Sequence, residues 1–393
     1  MLKICPVLWV LVLAVLIGST GCFKQTQYSG FKVDPSTQMV VGRYRVDKSH
    51  WYCYLTRIDL KTNKILVETP TFENAVGEAM ELSDGTVAFS YLRAPGTVQH
   101  KVGLIDVRGR YRDIRTRNDD ASFVLGYLNQ LTIWSGANYS NGDFVEWMDT
   151  KGKNVTKDTL VIHPQSMTRL EGIAFDPGNR LFLIAVDSHS RFYPPGLAPM
   201  APYGFLVALD PIGKKFRKME WPYFWTNPAL CMIPSQKILL VAPNVDERHA
   251  VGAIDHVKHQ IDFVTYPEFK LIQSIQLPGM AWEITYAPES NKAYVRVERS
   301  TLGLKSGIAV IDVTTQKMIR FLEMPCSSIR YVGLNRLAVC TWDQRKEITK
   351  DPTEACSNYR LLLFDTQTDK VVATFPGQYD RIGHDSEIET AAY

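Results

Sequence analysis

One grammar of apolar and polar positions recurs along the chain. Its clearest copy runs from Ile308-Ala-Val-Ile-Asp312-Val-Thr-Thr-Gln-Lys317 to Pro325: an apolar strand, an Asp opening a polar turn, a Lys, a second apolar strand and a closing Pro. The same order appears at Leu362-Leu-Phe-Asp365 through Pro376, at Arg57-Ile-Asp59 through Pro70 and at Val207-Ala-Leu-Asp210 through Pro222. Looser copies start at Asp106 and run from Asp149 to Pro164. The stretch from Asp262 to Pro278 aligns without a gap to the Asp312 copy, which puts Thr265 in the Asp slot and leaves Asp255 as a competing anchor. Asp suits the slot because its carboxylate accepts backbone N–H groups within a tight turn, and Thr does so more weakly. Pro suits a strand end because it brings no N–H to the next ladder position.

Between the anchors Asp59, Asp106, Asp149, Asp210, Thr265, Asp312 and Asp365 lies a second hairpin, as at Ala79–Phe89, Gly172–Ile184 and Ile284–Val295, each with Asp-Gly, Asp-Pro or Pro at the bend. Two hairpins per unit, repeating about every 50 residues, describe a propeller blade. The seven copies predict an all-β fold, a seven-bladed β-propeller of four-stranded antiparallel blades. The first copy holds only Met39–Val46, Trp51–Leu60 and Ile65–Glu68, so it lacks an innermost strand. The C-terminal segment Ser386–Tyr393 is expected to supply that strand, because an open ring would leave unpaired edges.

Composition narrows the function classes. Of 393 residues 45% are hydrophobic and 22% charged, and 44 Lys and Arg face 41 Asp and Glu for a net charge of +3. That is an ordinary globular balance, and it excludes a nucleic-acid binder held by bulk positive charge.

The N-terminus reads as an export signal. Lys3 precedes an apolar run from Ile4 to Ile17, followed by Gly18-Ser19-Thr20-Gly21-Cys22. The run is shorter than the roughly 20 residues of a membrane-spanning helix. Small residues directly before Cys22 resemble the lipobox of bacterial lipoproteins, which implies diacylglycerol on the Cys22 sulfur, although Ser19 stands where that family usually has Leu. Phe23 replaces the Asp of an inner-membrane retention signal, which favours the outer membrane in a cell with two. The expected organisation is a signal peptide at 1–21, a tether at 22–35 and a propeller at 36–393. Plain secretion, with Cys22 removed or unmodified, is the alternative. The five cysteines beyond Cys22 are no dense disulfide scaffold and form no CxxC, and Cys340 with Cys356, flanking one loop, are the candidate bridge.

Ala293-Tyr-Val-Arg-Val and Ile308-Ala-Val-Ile-Asp-Val-Thr-Thr-Gln-Lys are similar to YVTN-type bacterial propellers, a WD40-like repeat family, closely in two blades and in pattern over most of 36–393. Arg296-Val297 stands where the family has Thr-Asn. The resemblance implies fold and export more than activity, because propellers host many functions.

Candidate chemistry gathers in two places. The connections Asp187–Gly204, Asn244–Gln260 and Asp343–Asn358 are the longest and are expected on one face, where binding concentrates on a rigid scaffold. His189, Arg191, Phe192, Tyr193 and Tyr203 in the first, stiffened by prolines, and His249 in the second are the candidate ligand-binding residues. His249, His256 and His259 match no metal motif, and a solvated hairpin is the simpler reading. Glu78, Glu171, Glu283 and Glu387 fall near the start of innermost strands, so their carboxylates are expected to converge at one mouth of the central channel. There they would suit Ca²⁺ or a cationic ligand, or would accept N–H groups from neighbouring blades. Glu171-Gly-Ile-Ala-Phe175 followed by Val186-Asp187 resembles one blade of the calcium-dependent lactonases. That resemblance implies Glu171 as a metal ligand, with Ile173 and Phe175 in place of the family's Pro and Trp and Asn244 the nearest match to a further ligand. No nucleophile elbow, phosphate-binding loop or dinucleotide fingerprint is present.

The leading reading is a non-catalytic, monomeric binding or scaffold module, lipid-anchored in the cell envelope, taking a protein, peptide or glycan and no nucleic acid. The alternative is a metal-dependent lactonase-like hydrolase at the channel mouth. A redox-accessory or cofactor-binding propeller is a third class, for which no ligand motif stands in the sequence.

Overall fold

The computed structural model describes residues 32–47, 50–70, 76–92, 100–114, 121–128, 130–135, 144–151, 154–156, 167–189, 204–219, 229–242, 259–298, 306–344 and 356–382. Strands β1 (Gln38–Asp47), β2 (His50–Asp59) and β3 (Lys64–Pro70) open the chain. Blade 1 follows with β4 (Val76–Glu81), β5 (Val87–Leu92), β6 (His100–Ile105) and β7 (Tyr111–Ile114), and blade 2 with β8 (Ala121–Tyr127), β9 (Gln130–Ser135), β10 (Phe144–Asp149) and β11 (Asn154–Thr156). Blade 3 contains β12 (Met167–Asp176), β13 (Leu181–His189), β14 (Gly204–Asp210) and β15 (Lys215–Met219). Blade 4 contains β16 (Ala229–Ile233), β17 (Ile238–Ala242), β18 (Gln260–Thr265) and β19 (Leu271–Gln276). Blade 5 is β20 (Met280–Ala287), β21 (Lys292–Glu298), β22 (Gly307–Asp312) and β23 (Lys317–Glu323). Blade 6 is β24 (Cys326–Tyr331), β25 (Arg336–Gln344), β26 (Cys356–Asp365) and β27 (Lys370–Pro376), and the last strand is β28 (Gln378–Ile382). Each blade is an antiparallel four-stranded sheet, and the seventh has the order β28-β1-β2-β3. The fold is therefore the expected seven-bladed propeller.

The closing strand is not where the sequence placed it. Residues 378–382 take the inner position against β1, with Tyr379 opposite Arg43 and Asp380 opposite Gly42, while 386–393 lie outside the described residues. The reason is reach: β27 ends at Pro376, and Gly377, at φ 127°, turns the chain directly into the vacant inner position. Arg43 reinforces the seam, ion-paired to Glu68, donating to the Pro376 carbonyl at 3.2 Å and lying 5.4 Å from the centre of the buried Tyr379 ring.

All seven anchors act as their chemistry dictates. The Asp59 carboxylate accepts the Lys61 and Thr62 N–H groups, Asp106 those of Arg108 and Arg110, Asp149 that of Lys151, and Asp210 those of Ile212 and Gly213. Asp312 takes the Thr315 N–H at 2.7 Å and Asp365 that of Thr368 at 2.9 Å. Thr265, at the end of β18, occupies the slot in blade 4, its hydroxyl accepting the Lys270 N–H at 3.0 Å. Asp255 lies outside the described residues.

The cores sit between blades. One cluster joins blades 1, 2 and 3 around Trp147, Phe175 and Phe182, and another joins blades 5 and 6 around Tyr294 and Tyr331. Polar stitches add to this packing. Arg57 of β2 and Glu81 of β4 form a fully buried ion pair between blades 7 and 1, with Arg57 also donating to Gln38 at 3.3 Å. Lys292 and Tyr294 of blade 5 both reach Asp369 of blade 6, at 2.8 Å each.

The expected Cys340–Cys356 bridge does not form. Cys340 is buried opposite Leu361, whereas Cys356 lies opposite Gln344. Four residues of ladder separate them, on the order of 13 Å, well beyond the roughly 7 Å that a disulfide tolerates.

Candidate functional site

Four antiparallel strands per blade sort every connection onto one of two faces. Turns joining first to second and third to fourth strands emerge on one side, the turn face, and include all seven anchors. Connections joining second to third strands emerge on the other, the loop face. The strands that bound 190–203, 243–259 and 345–355 are β13 and β14, β17 and β18, and β25 and β26, so all three connections leave from the loop face. In blade 6 the base of the connection is built in detail. Asp343 pairs with Arg360 at 2.7 Å and accepts from Asn358 at 3.0 Å, while the Trp342 and Tyr359 rings lie 6.1 Å apart. The Arg360 guanidinium holds the Asp343 carboxyl below its ordinary value.

The innermost strands are irregular towards this face. Register shifts interrupt β4 between Val76 and Ala79, β8 between Ala121 and Phe123, β12 between Leu170 and Gly172, β20 between Ala281 and Glu283, and β24 between Cys326 and Ser328. A bulge sharpens the local twist and re-aims the side chains around it. Glu78 and Glu171 lie within such bulges, whereas Glu283 is the first paired residue after one, opposite Arg296. The three glutamates thus stand at one end of the innermost strands but not at one register position.

Around Glu283 the chemistry is explicit. Its carboxylate accepts the Ile329 N–H of the next blade at 2.7 Å and lies 3.5 Å from Arg296 Nε. Two residues on, the Thr285 hydroxyl accepts the Tyr331 N–H at 3.0 Å. Burial pushes the Glu283 carboxyl above its ordinary value, against the opposing pull of Arg296 and the Ile329 N–H. The buried Arg296 also pairs with Glu298, donates to the Cys326 carbonyl at 3.5 Å and stands 5.9 Å from the centre of the Trp282 ring. Burial raises the Cys326 thiol to about 12, which keeps it protonated and unreactive at neutral pH. Among the described residues, no three His, Cys, Asp or Glu side chains converge as metal ligands.

His189 ends β13 opposite Met167, at the root of the first long connection. Arg191, Phe192, Tyr193, Tyr203, His249, Glu387 and Cys22 lie outside the described residues, and Glu78 and Glu171 are placed by their backbones. Arg296 and Trp282 are additions from the structure. An Arg within the otherwise apolar Ala293–Val297 run was the available signal, since a buried guanidinium requires carboxylates around it.

No family model and no curated relative matches the chain. Among solved structures it is similar to a putative 6-phosphogluconolactonase from Bacteroides uniformis, at 13% identity over 88% of this chain and 98% of that one, with a TM-score of 0.58. It is also similar to the dihydro-heme d1 dehydrogenase NirN in complex with DHE, at 13% identity over 92% of this chain and 78% of that one, with a TM-score of 0.55. At this identity the likeness is one of fold, and it places the chain among β-propellers. No helix among the described residues is long and apolar enough to cross a membrane.

Proposed function

We propose that the protein is an exported, lipid-anchored β-propeller of the YVTN-like kind that binds a protein, peptide or glycan of the cell envelope through its loop face. Cys22 carries the anchor, and the binding residues are His189, Arg191, Phe192, Tyr193 and Tyr203 on one connection and His249 on the next. The observation that carries this reading is the asymmetry of the two faces. The turn face is made of short, self-capped turns, whereas three neighbouring or near-neighbouring blades send extended connections from the other side. Long segments on a rigid scaffold are a recognition surface. Replacing 190–203 with a short Gly-Ser turn and comparing partners recovered after crosslinking in intact envelopes tests it. Loss of a specific partner is expected, and an unchanged set removes the role.

A second reading, a metal-dependent lactonase-like hydrolase, draws support from Glu78 and Glu171 on bulged innermost strands at the channel mouth. Ca²⁺ would be the metal and Glu171 a ligand. Stoichiometric calcium in the purified protein, lost in Glu171→Ala, would favour it over the binding module.

A further inference from the structure

We infer that the turn face docks on the surface of an anionic phospholipid bilayer, an inference that rests on the lipid-anchored reading only for its tether. Every large hydrophobic side chain that is exposed among the described residues lies on this face or at the adjoining end of an outermost strand. The pattern repeats around the ring. The pairs Lys64-Ile65, Lys215-Phe216, Lys270-Leu271, Lys317-Met318 and Lys370-Val371 stand at the starts of outermost strands, Lys270 directly before its strand, and each apolar member is 39–51% exposed. Ile212 and Leu334, at 42% and 38%, extend the apolar positions onto the turns themselves.

The exposed apolar side chains are therefore gathered on one face and recur blade by blade, where scattered ones would need no explanation. Apolar side chains flanked by lysines match the lipid interface, where the hydrocarbon sinks below the headgroups and the ammonium meets phosphate. Acidic side chains are also present and keep their charge, but those of the anchors Asp59, Asp106, Asp149, Asp210, Asp312 and Asp365 are aimed at N–H groups of their own turns, whereas the lysines of the strand ends are exposed. Glu268 stands among the exceptions, two residues from Lys270.

The path of the N-terminus selects a bilayer over a protein partner. Thr37 accepts the Leu60 N–H at 2.9 Å beside the Asp59 turn, and Val33 packs so closely on Gly85 that an added Cβ would stand 2.4 Å from its methyl. The chain therefore joins the propeller on the turn face. Residues 22–31 span at most about 35 Å when extended, while a 10-residue strand such as β1 stands about 33 Å tall. Only a fully stretched tether would bring the loop face to the membrane, so a lipid on Cys22 favours the turn face there and the loop face pointing away.

The test uses the mature chain from residue 22 carrying Cys22→Ser, so that no acyl chain contributes, mixed with phosphatidylcholine vesicles with or without 30% phosphatidylglycerol. Sedimentation should show at least tenfold stronger partitioning to the anionic vesicles at low salt, weakening as salt rises. The combined Lys215→Glu, Lys270→Glu, Lys317→Glu and Lys370→Glu variant should lose it by more than tenfold with an unchanged circular dichroism spectrum. Leu271→Ser with Ile319→Ser, which spares the charges, should weaken it severalfold. Equal partitioning to both vesicles, indifference to the reversals, or self-association abolished by the reversals in the absence of lipid would each overturn the proposal. The mass of native Cys22 reports lipidation separately, so failure of the anchor and failure of the docking face are distinguishable.

Discussion

The Glu283 carboxylate accepts the Ile329 N–H at 2.7 Å across the boundary between blades 5 and 6. The relationship has a backbone cause. An innermost strand has a neighbour on one edge only, so N–H groups on its channel edge need another partner. In β24 those of Ile329 and Tyr331 are met by Glu283 and Thr285 of β20. Side chains thus do at the ring's centre what a fifth strand would do in an open sheet.

Glu283→Ala is expected to cost about 1–3 kcal/mol in chemical denaturation, the scale of a buried donor left unsatisfied. Glu283→Gln, which keeps an acceptor for Ile329 but loses the attraction to Arg296, should cost less. Equal losses would show that the charge, not the N–H, sets the effect.

The buried pair of Arg57 and Glu81 should respond asymmetrically. Glu81→Leu strands a guanidinium that cannot shed its charge and is expected to cost about 3–5 kcal/mol. Arg57→Met leaves a carboxyl that can bind a proton, so its cost should be smaller and should shrink further in acid.

Burial pushes the Glu81 carboxyl up to about 7 from an ordinary 4.5. Between those values the folded chain retains a proton that the unfolded chain has released, so the group's contribution to stability is full below about pH 4.5 and falls as pH rises to 7. The unfolding free energy of the wild type relative to Glu81→Gln should decline by on the order of 3 kcal/mol across that window. A flat or rising difference would mean that Arg57 dominates over burial.

Ring closure by 378–382 separates two truncations. Removing 384–393, which leaves the closing strand intact, should cost far less stability than removing that strand as well. Removing 378–393 exposes the edge of β1, strips Tyr379 from the core it shares with Phe375 and should abolish cooperative unfolding.

Much of this architecture was legible because turns are local. Each anchor and its N–H partners lie within five residues, so Asp59 through Asp365, and even Thr265, could be placed from neighbouring residues alone. Long-range closure was not legible. Gln378-Tyr-Asp-Arg-Ile lacks an alternating apolar pattern, and it is a strand because β1 offers an edge. The bulges depend on pairing, so Glu171 and Glu283 read as equivalent although one register step divides them. The Arg296 cluster needed blade 6 to bring Cys326 and Ile329 beside blade 5. The loop-face connections are legible by their length, while all the residues proposed to bind except His189 lie beyond the described residues.

The division of labour between the two faces is tested most directly by photo-crosslinking in intact envelopes, with the crosslinker at 192 or 203, in the connection between β13 and β14, and at 316 or 334 on the turn face. The expected result is a discrete protein or glycan adduct from the first pair and lipid adducts from the second. A discrete macromolecular adduct confined to 316 or 334, with none from 192 or 203, would contradict it.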